Sequence, residues 1–313
     1  MPNGSASSLV TKDKKSIGVI VRNLKSPLLM GMIGHIEEYL RKKDYCTIIM
    51  GSGGDLSKTV DSLLFQNVGG MLIYPELTKL DLEKFRFLHS IDFPFVLLSS
   101  DGIDHGLDAV YMDRRLGGYK ATAHLASLGH KRIGFIAGDT MKQEGYKQAL
   151  IEYGLPWDDS LVIHPRKSRW QGGYDACAEL LNRRLKMTAI FCSLDYYALG
   201  AGKCCRERGI TVPDDLALVG YDNIEEAAFA DVSLTTIAYN VEDETRIAVE
   251  LLFRRMREGS ASKNENIALE PELIIRESSV PRLLAGSRNV KKTLPGRSKK
   301  EKTRKKQDYI RKQ

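Results

Sequence analysis

Leu216 to Gly220, L-A-L-V-G, is an uninterrupted apolar run bounded by Pro213-Asp214-Asp215 before it and Tyr221-Asp222-Asn223 after it. A half-solvated strand alternates apolar with polar residues; a run without alternation needs cover on both faces, the condition of a strand in a parallel sheet. The same kind of run recurs at Ile17–Val21, Cys46–Met50, Met71–Tyr74, Phe95–Ser99, Ala109–Asp113, Ile133–Ala137 and Ala189–Ser193. Between several of them lie helical patterns: Met30–Lys43, Ser57–Gln66, Arg114–Leu128 closed by Gly129, and Tyr196–Arg208 closed by Gly209. Repeated strand, helix, strand demands parallel sheet with right-handed crossovers, and 313 residues suffice for two lobes of ordinary size.

In such sheets small molecules bind outside the carboxyl ends of the strands. Tyr221 and Asp222 end the Leu216–Gly220 strand, so an aromatic and a carboxylate stand where a polar molecule would be held. The same three letters, Tyr-Asp-Asn, also make an ordinary turn. Asp113 and Asp195 likewise end strands and open helices, and each has two readings: a cap on the helix, or a contact to a ligand. Gly51-Ser52-Gly53-Gly54 lacks the spacing and the Lys-Ser/Thr of a phosphate loop and reads as a turn.

Composition narrows the classes. No apolar run reaches the roughly 18 residues of a membrane span, and Met1–Lys15 has no apolar core of the secretory kind, so a cytoplasmic chain is expected. Five scattered cysteines without a C-x-x-C pair suit a reducing compartment, and Cys204 and Cys205, inside a helical pattern, read as packing residues. The net charge of +7 is concentrated at one end: Arg282–Gln313 holds 13 Lys/Arg against two acids, while the rest of the chain is mildly acidic. That tail, with K-K-E-K-T-R-K-K at its centre, is too polar to fold alone, and reads either as solvated chain or as a nonspecific, salt-sensitive contact to nucleic acid. No nucleophile elbow, no H-E-x-x-H and no metal-ligand spacing among the six histidines suggests catalysis, so no enzyme, metal or cofactor is expected.

V-P-D-D-L-A-L-V-G-Y-D followed by L-T-T-I, together with L-G-H-K-R-I-G-F-I-A-G at Leu128–Gly138, resembles the effector-binding domain of the LacI/GalR family of bacterial transcription regulators. The likeness runs from about Pro2 to Ser279. It implies the type I periplasmic-binding-protein fold: α/β, two Rossmann-like parallel-sheet lobes joined by three crossover strands. The expected division is a hinge or linker at 1–15, a first lobe of 16–123 plus 241–268, a second of 124–240 plus 269–281, and a basic tail at 282–313. Crossovers are expected near His124, Tyr239 and Leu269.

The resemblance also implies roles. Asp113, Lys142, Trp170, Asp195, Tyr221 and Asp222 match cleft positions that hold a small polar effector, a sugar or sugar derivative. Pro2–Thr11 is similar to the segment that forms a hinge helix on DNA, with Leu9 at the position of the leucine wedged into the minor groove; the helix-turn-helix headpiece that precedes that segment in the family is not in this chain. Operator DNA and a homodimer are the implied partners, and no membrane. Three positions depart from the family: Leu28 where an aromatic is usual, Lys142 where arginine is usual, and Leu194 where a polar residue is usual. A lysine is a point donor and not a planar fork, so free glucose, galactose and ribose are expected to bind poorly. The expected function is the ligand-sensing and dimerising part of a transcription regulator; the competing readings are a stand-alone solute-binding protein and a sensor whose tail binds nucleic acid nonspecifically.

Overall fold

The computed structural model describes residues 14–22, 24, 27–75, 82–98, 106–259 and 263–280. Leu9, the basic tail and part of the loop after the first strand lie outside the described residues. Two six-stranded sheets carry the molecule. In the first, β1 (Ser16–Val21), β2 (Cys46–Gly51), β3 (Gly70–Ile73), β4 (Phe95–Leu98) and β5 (Ala109–Met112) run parallel, with α1 (Pro27–Arg41), α2 (Leu56–Phe65) and α3 (Leu82–Ser90) between them, and β11 (Asn266–Leu269) returns beside β5. Its order is β11-β5-β4-β3-β1-β2. The second holds β6 (Ile133–Ile136), β7 (Val162–Ile163), β8 (Ala189–Cys192), β9 (Ala217–Asp222) and β10 (Thr235–Ala238) in parallel. There β12 (Glu272–Ile274) adds an antiparallel edge on β10, giving the order β12-β10-β9-β8-β6-β7.

The runs without alternation are buried as their pattern requires. β3, β4, β6 and β8 are covered at every residue, and β9 at every residue before Asp222. Each Leu, Ile, Val or Phe so covered contributes about 1.5–3 kcal/mol against its exposed state. The cover comes from helices: α4 (Arg114–Ser127), α5 (Thr140–Glu152), α6 (Arg169–Asn182), α7 (Asp195–Glu207) and the short α8 (Glu225–Phe229) lie with the second sheet, while α9 (Val241–Glu258) packs on α1, β3, β4 and β5 of the first. Cys177, Cys192, Cys204 and Cys205 are free, buried thiols in the second core, and Cys46 is exposed on β2.

The first crossover lies earlier than the expected His124. α4 begins directly after β5 and already packs against α5, β9, β10 and β12. Its approach to α5 is so close that a Cβ on Gly145 would stand 2.0 Å from the Arg115 carbonyl oxygen, so only glycine fits there. The chain therefore leaves the first sheet at Asp113, because the apolar face of the next helix is shared with the second. His124 sits inside that second body, its Nε2 2.8 Å from Ser279 Oγ, with burial pushing its imidazole down to about 4. The other crossings fall after β10, at Tyr239–Asn240, and between β11 and β12, at Glu270–Pro271. β5 and β11 are neighbours at one edge of the first sheet, and β10 and β12 at one edge of the second, so all three connections leave from adjacent edges. Lobes tied in this way are able to rotate about a few connecting residues while each core stays packed.

Candidate functional site

β9 delivers Tyr221 and Asp222 to the carboxyl edge of the second sheet, and the two side chains alternate as strand residues do. Tyr221 points into the core and is fully buried, its ring above α4, where a Cβ on Gly117 would come within 2.5 Å of its hydroxyl oxygen. Burial pushes its phenol well above the ordinary range, and its hydroxyl has no hydrogen-bond partner among the described residues. Asp222 faces the other way, with a side chain 9% exposed.

The backbone here is held in an unusual shape. Asp222 has φ 113° and Asn223 φ 55°, both in the left-handed region that side chains with a Cβ rarely adopt, at a cost of order 1–3 kcal/mol each. Neighbours over-determine the turn. Asp195, the first residue of α7, is fully buried; its Oδ2 accepts from the Ile224 N–H at 2.9 Å and its Oδ1 from the Thr236 hydroxyl at 2.6 Å. Arg276 donates to Asn223 Oδ1 at 2.7 Å. Asp195 is thus a brace for the turn, and not a cap on its own helix. Desolvation raises its carboxyl to about 6 despite the hydrogen bonds from Thr236 and Ile224.

Lys142 comes to the same place from α5. Asp139 caps that helix, accepting from the N–H groups of Met141 (2.9 Å) and Lys142 (3.1 Å), and is anchored in turn by Arg114 of α4 at 2.6 Å. Lys142 lies in the first helical turn, not in the loop its sequence position suggested. Its ammonium donates to the Ser193 carbonyl at 2.8 Å, rests 3.5 Å from the centre of the Tyr221 ring, and stands 3.8 Å from Asp222 Oδ1. The last distance is beyond a hydrogen bond. Desolvation, with Asp195 and Asp139 adding negative charge, pushes the Asp222 carboxyl up to about 7 against the opposing pull of Lys142. Desolvation acts the same way on Asp139, but there Lys142, Arg114 and the cap hydrogen bonds win and the carboxyl is lowered.

The remaining expected residues stand around this floor. Asp113 caps α4, its Oδ1 accepting from the Leu116 N–H at 2.9 Å, at the crossover itself. Its charge is felt at Tyr221, as are those of Asp139 and Arg114. Trp170, on the first turn of α6, is 46% exposed and packs edge-on against Tyr196, centroids 4.9 Å apart. Tyr196, half-buried, has its phenol raised by burial and by Glu226, with Asp222 and Asp195 contributing. An aromatic rim therefore borders the carboxylates. Of the departures, Leu28 packs against the first core, and Leu194, the residue before α7, packs on the second.

Sequence reasoning did not single out Arg114, Asp139, Ser193, Thr236 or Tyr196 as parts of one site. Asp139 carried a signal, since an aspartate before T-M-K-Q at a strand end is a helix start. Thr236 carried another, a hydroxyl inside a buried strand that needs a partner.

The sequence pattern of the Periplasmic binding protein-like domain matches residues 122–279. The ribose operon repressor of Haemophilus influenzae is 30% identical over 291 residues, 88% of this chain and 85% of that protein. The chain belongs to the LacI/GalR family. The HTH-type transcriptional repressor PurR of Pasteurella multocida is 32% identical over 292 residues, 90% of this chain and 86% of its own length. Among solved structures, a LacI family transcriptional regulator from Enterococcus faecium with bound ribose superposes with a TM-score of 0.74 at 29% identity, over 85% of this chain and 99% of that one. As a member of the LacI/GalR family the protein is a transcription regulator and not an enzyme. Among the described residues no helix is long and apolar enough to cross a membrane.

Proposed function

We propose that this LacI/GalR regulator senses a polyhydroxy effector, a sugar or sugar derivative, held between two lobes and acting in the cytoplasm where the operator is. The lobes are 16–112 with 241–269, and 113–240 with 270–281. Asp222 and Lys142 make the polar floor, Asp113 contributes from the crossover, and Trp170 with Tyr196 forms a face on which a ring stacks. Asp195 and Tyr221 act from behind, the first by holding the Asp222 turn and the second by supporting the Lys142 ammonium.

One observation carries this reading. Lys142 and Asp222 are nearly buried, opposite in charge and close, yet 3.8 Å apart, with Asp222 held up to about 7. At that separation the pair makes no hydrogen bond, so both groups keep capacity for another partner. A ligand hydroxyl set between them satisfies both groups, and a ligand touching both lobes favours the closed arrangement by its differential affinity alone. The ribose-bound family structure and the ribose operon repressor support a sugar-like effector, while Lys142, Leu28 and Leu194 direct the reading toward a derivative and away from the unmodified sugar.

A thermal-shift screen over sugars, amino sugars and nucleosides, followed by calorimetric titration of hits, tests it. The expected result is saturable binding to the wild type that Asp222→Asn abolishes. Binding that survives Asp222→Asn, or a screen in which no polyhydroxy compound binds, contradicts it.

A further inference from the structure

We propose that the cleft excludes anionic effectors, phosphorylated or carboxylated, and that Asp222 is the residue that sets this specificity. The proposal rests on the cleft being the effector site and narrows what that site accepts.

Helix N-termini are the ordinary anion receptors of an α/β cleft, because their N–H groups are unpaired and their dipoles point positive end outward. Here three such termini meet at the floor, and two are already capped by a carboxylate of the chain itself. Asp113 accepts from α4 and Asp139 accepts twice from α5, while Asp195, the first residue of α7, turns its carboxylate to Thr236 and Ile224. The cations that the described residues bring to the floor are engaged as well. Arg114 is paired with Asp139 at 2.6 Å, Arg276 donates to Leu234 O and Asn223 Oδ1 at 2.7 Å each, and Lys142 is held by Ser193 O and the Tyr221 face.

Among the described residues no cation lies within hydrogen-bond distance of Asp222; the Lys142 ammonium stands 3.8 Å away. The groups facing Asp222 are Lys142 and Asp139 from α5 and its cap, Asp195 and Tyr196 from α7, and Tyr221 on its own strand. Carboxylates outnumber ammonium groups in that set; desolvation is the main cause of the raised Asp222 carboxyl, and the charges of Asp195 and Asp139 add to it. A phosphate entering there would find Leu116 N–H of α4 and the Met141 and Lys142 N–H groups of α5 already taken by carboxylates, and would meet Asp222 at close range. A hydroxyl or an ammonium donates to Asp222 without any of these costs.

The experiment uses the full chain as wild type, Asp222→Asn and Lys142→Met, two substitutions close to isosteric. Calorimetric titrations compare ribose, glucosamine and adenosine each with its own phosphate monoester, and add inorganic phosphate as the smallest anionic probe. For any compound that binds the wild type, the phosphorylated partner is expected to bind at least about tenfold more weakly, a difference of about 1.4 kcal/mol. Asp222→Asn is expected to gain saturable phosphate binding that the wild type lacks. A phosphate ester that binds the wild type as tightly as its parent, with the affinity lost in Lys142→Met, overturns the exclusion while leaving the effector cleft standing. Failure of every sugar and nucleoside to bind defeats the effector reading, and the exclusion is then decided by inorganic phosphate alone. Wild-type binding of phosphate at Lys142 overturns it, and an Asp222→Asn protein that gains none removes Asp222 from the role.

Discussion

Two buried ion pairs, one in each lobe, use the same chemistry to opposite ends. Arg255 of α9 and Asp108 ahead of β5 meet in a fork, 2.6 Å from Nε to Oδ2 and 2.8 Å from Nη2 to Oδ1, with side chains 5% and 7% exposed. The spare capacity is used: Arg255 also donates to Lys263 O, and Asp108 accepts from the Glu265 N–H. Lys142 and Asp222 are equally hidden, but their closest atoms are 3.8 Å apart, the aspartate backbone is left-handed, and its carboxyl is displaced upward. Satisfied buried charges fasten one piece of chain to another; partly satisfied ones store a preference for something that completes them. The first pair lies at the amino ends of its strands, away from the cleft, and ties α9 to the loop before β11. The second lies at the carboxyl end of β9, where the proposed effector site is.

The sharpest way to break this contrast is to remove one partner of each pair. Arg255→Met leaves Asp108 buried without its fork, and the expected loss of stability is about 3–5 kcal/mol, measured by urea unfolding, with effector affinity unchanged in the protein that remains folded. A loss below about 1 kcal/mol would mean that the pair contributes no more than a surface contact.

Asp222→Asn should move in the other direction. The folded carboxyl titrates near 7, above its unfolded value, so between about pH 4 and 7 the native state holds a proton that the unfolded chain releases. Stability attached to Asp222 is therefore full below pH 4 and is lost as pH rises through 7. Each unit of upward shift costs about 1.4 kcal/mol once the group is ionised, so the rise to about 7 gives the asparagine variant a gain on the order of 4 kcal/mol over wild type at pH 8, falling to about 1 kcal/mol at pH 4.5. Unfolding curves of the two proteins across that range supply the check, and parallel curves would contradict the assignment. Asp195, raised to about 6, follows the same sign, but Asp195→Ala also strips Thr236 and Ile224 of their acceptor, so a net loss of about 1–3 kcal/mol is expected for it.

The smallest expected effect on stability is at the rim. Trp170→Ala and Tyr196→Ala remove half-exposed rings, and unfolding free energy should change by less than about 1 kcal/mol, while affinity for a ring-bearing effector falls about tenfold as stacking is lost. Equal effects on stability and binding would make the rim a packing feature.

Much of this was legible in the residues. Runs without alternation at Leu216–Gly220 and Ala189–Ser193 declared buried parallel strands, and the strand ends named Asp113, Asp195, Tyr221 and Asp222 as carboxyl-edge residues. What could not be read was direction. Strand alternation after Gly220 sends Tyr221 inward and Asp222 outward, but sequence does not say which side has a helix, so a core tyrosine and a cleft aspartate looked alike. Asp195 carried the signature of a helix cap; only the proximity of Thr236 and of the Ile224 N–H, from a strand and a turn far along the chain, makes it a brace. The first crossover was placed at His124 because α4 reads as the continuation of the first lobe, and its packing on the second sheet is a tertiary fact. Asp139 shows the opposite case: its role as a helix cap follows from local spacing, and Arg114 then adds to it.

The claim on which the site depends is that Asp222 is an unsatisfied acceptor beside Lys142 and not half of a closed salt bridge. Titration of the carboxyl carbon of Asp222 by NMR in selectively labelled protein, assigned with Asp222→Asn, measures this directly. A midpoint near 7 that rises no further in Lys142→Arg is the predicted result. A midpoint below 4, in the range of a carboxylate firmly paired with its lysine, would contradict it.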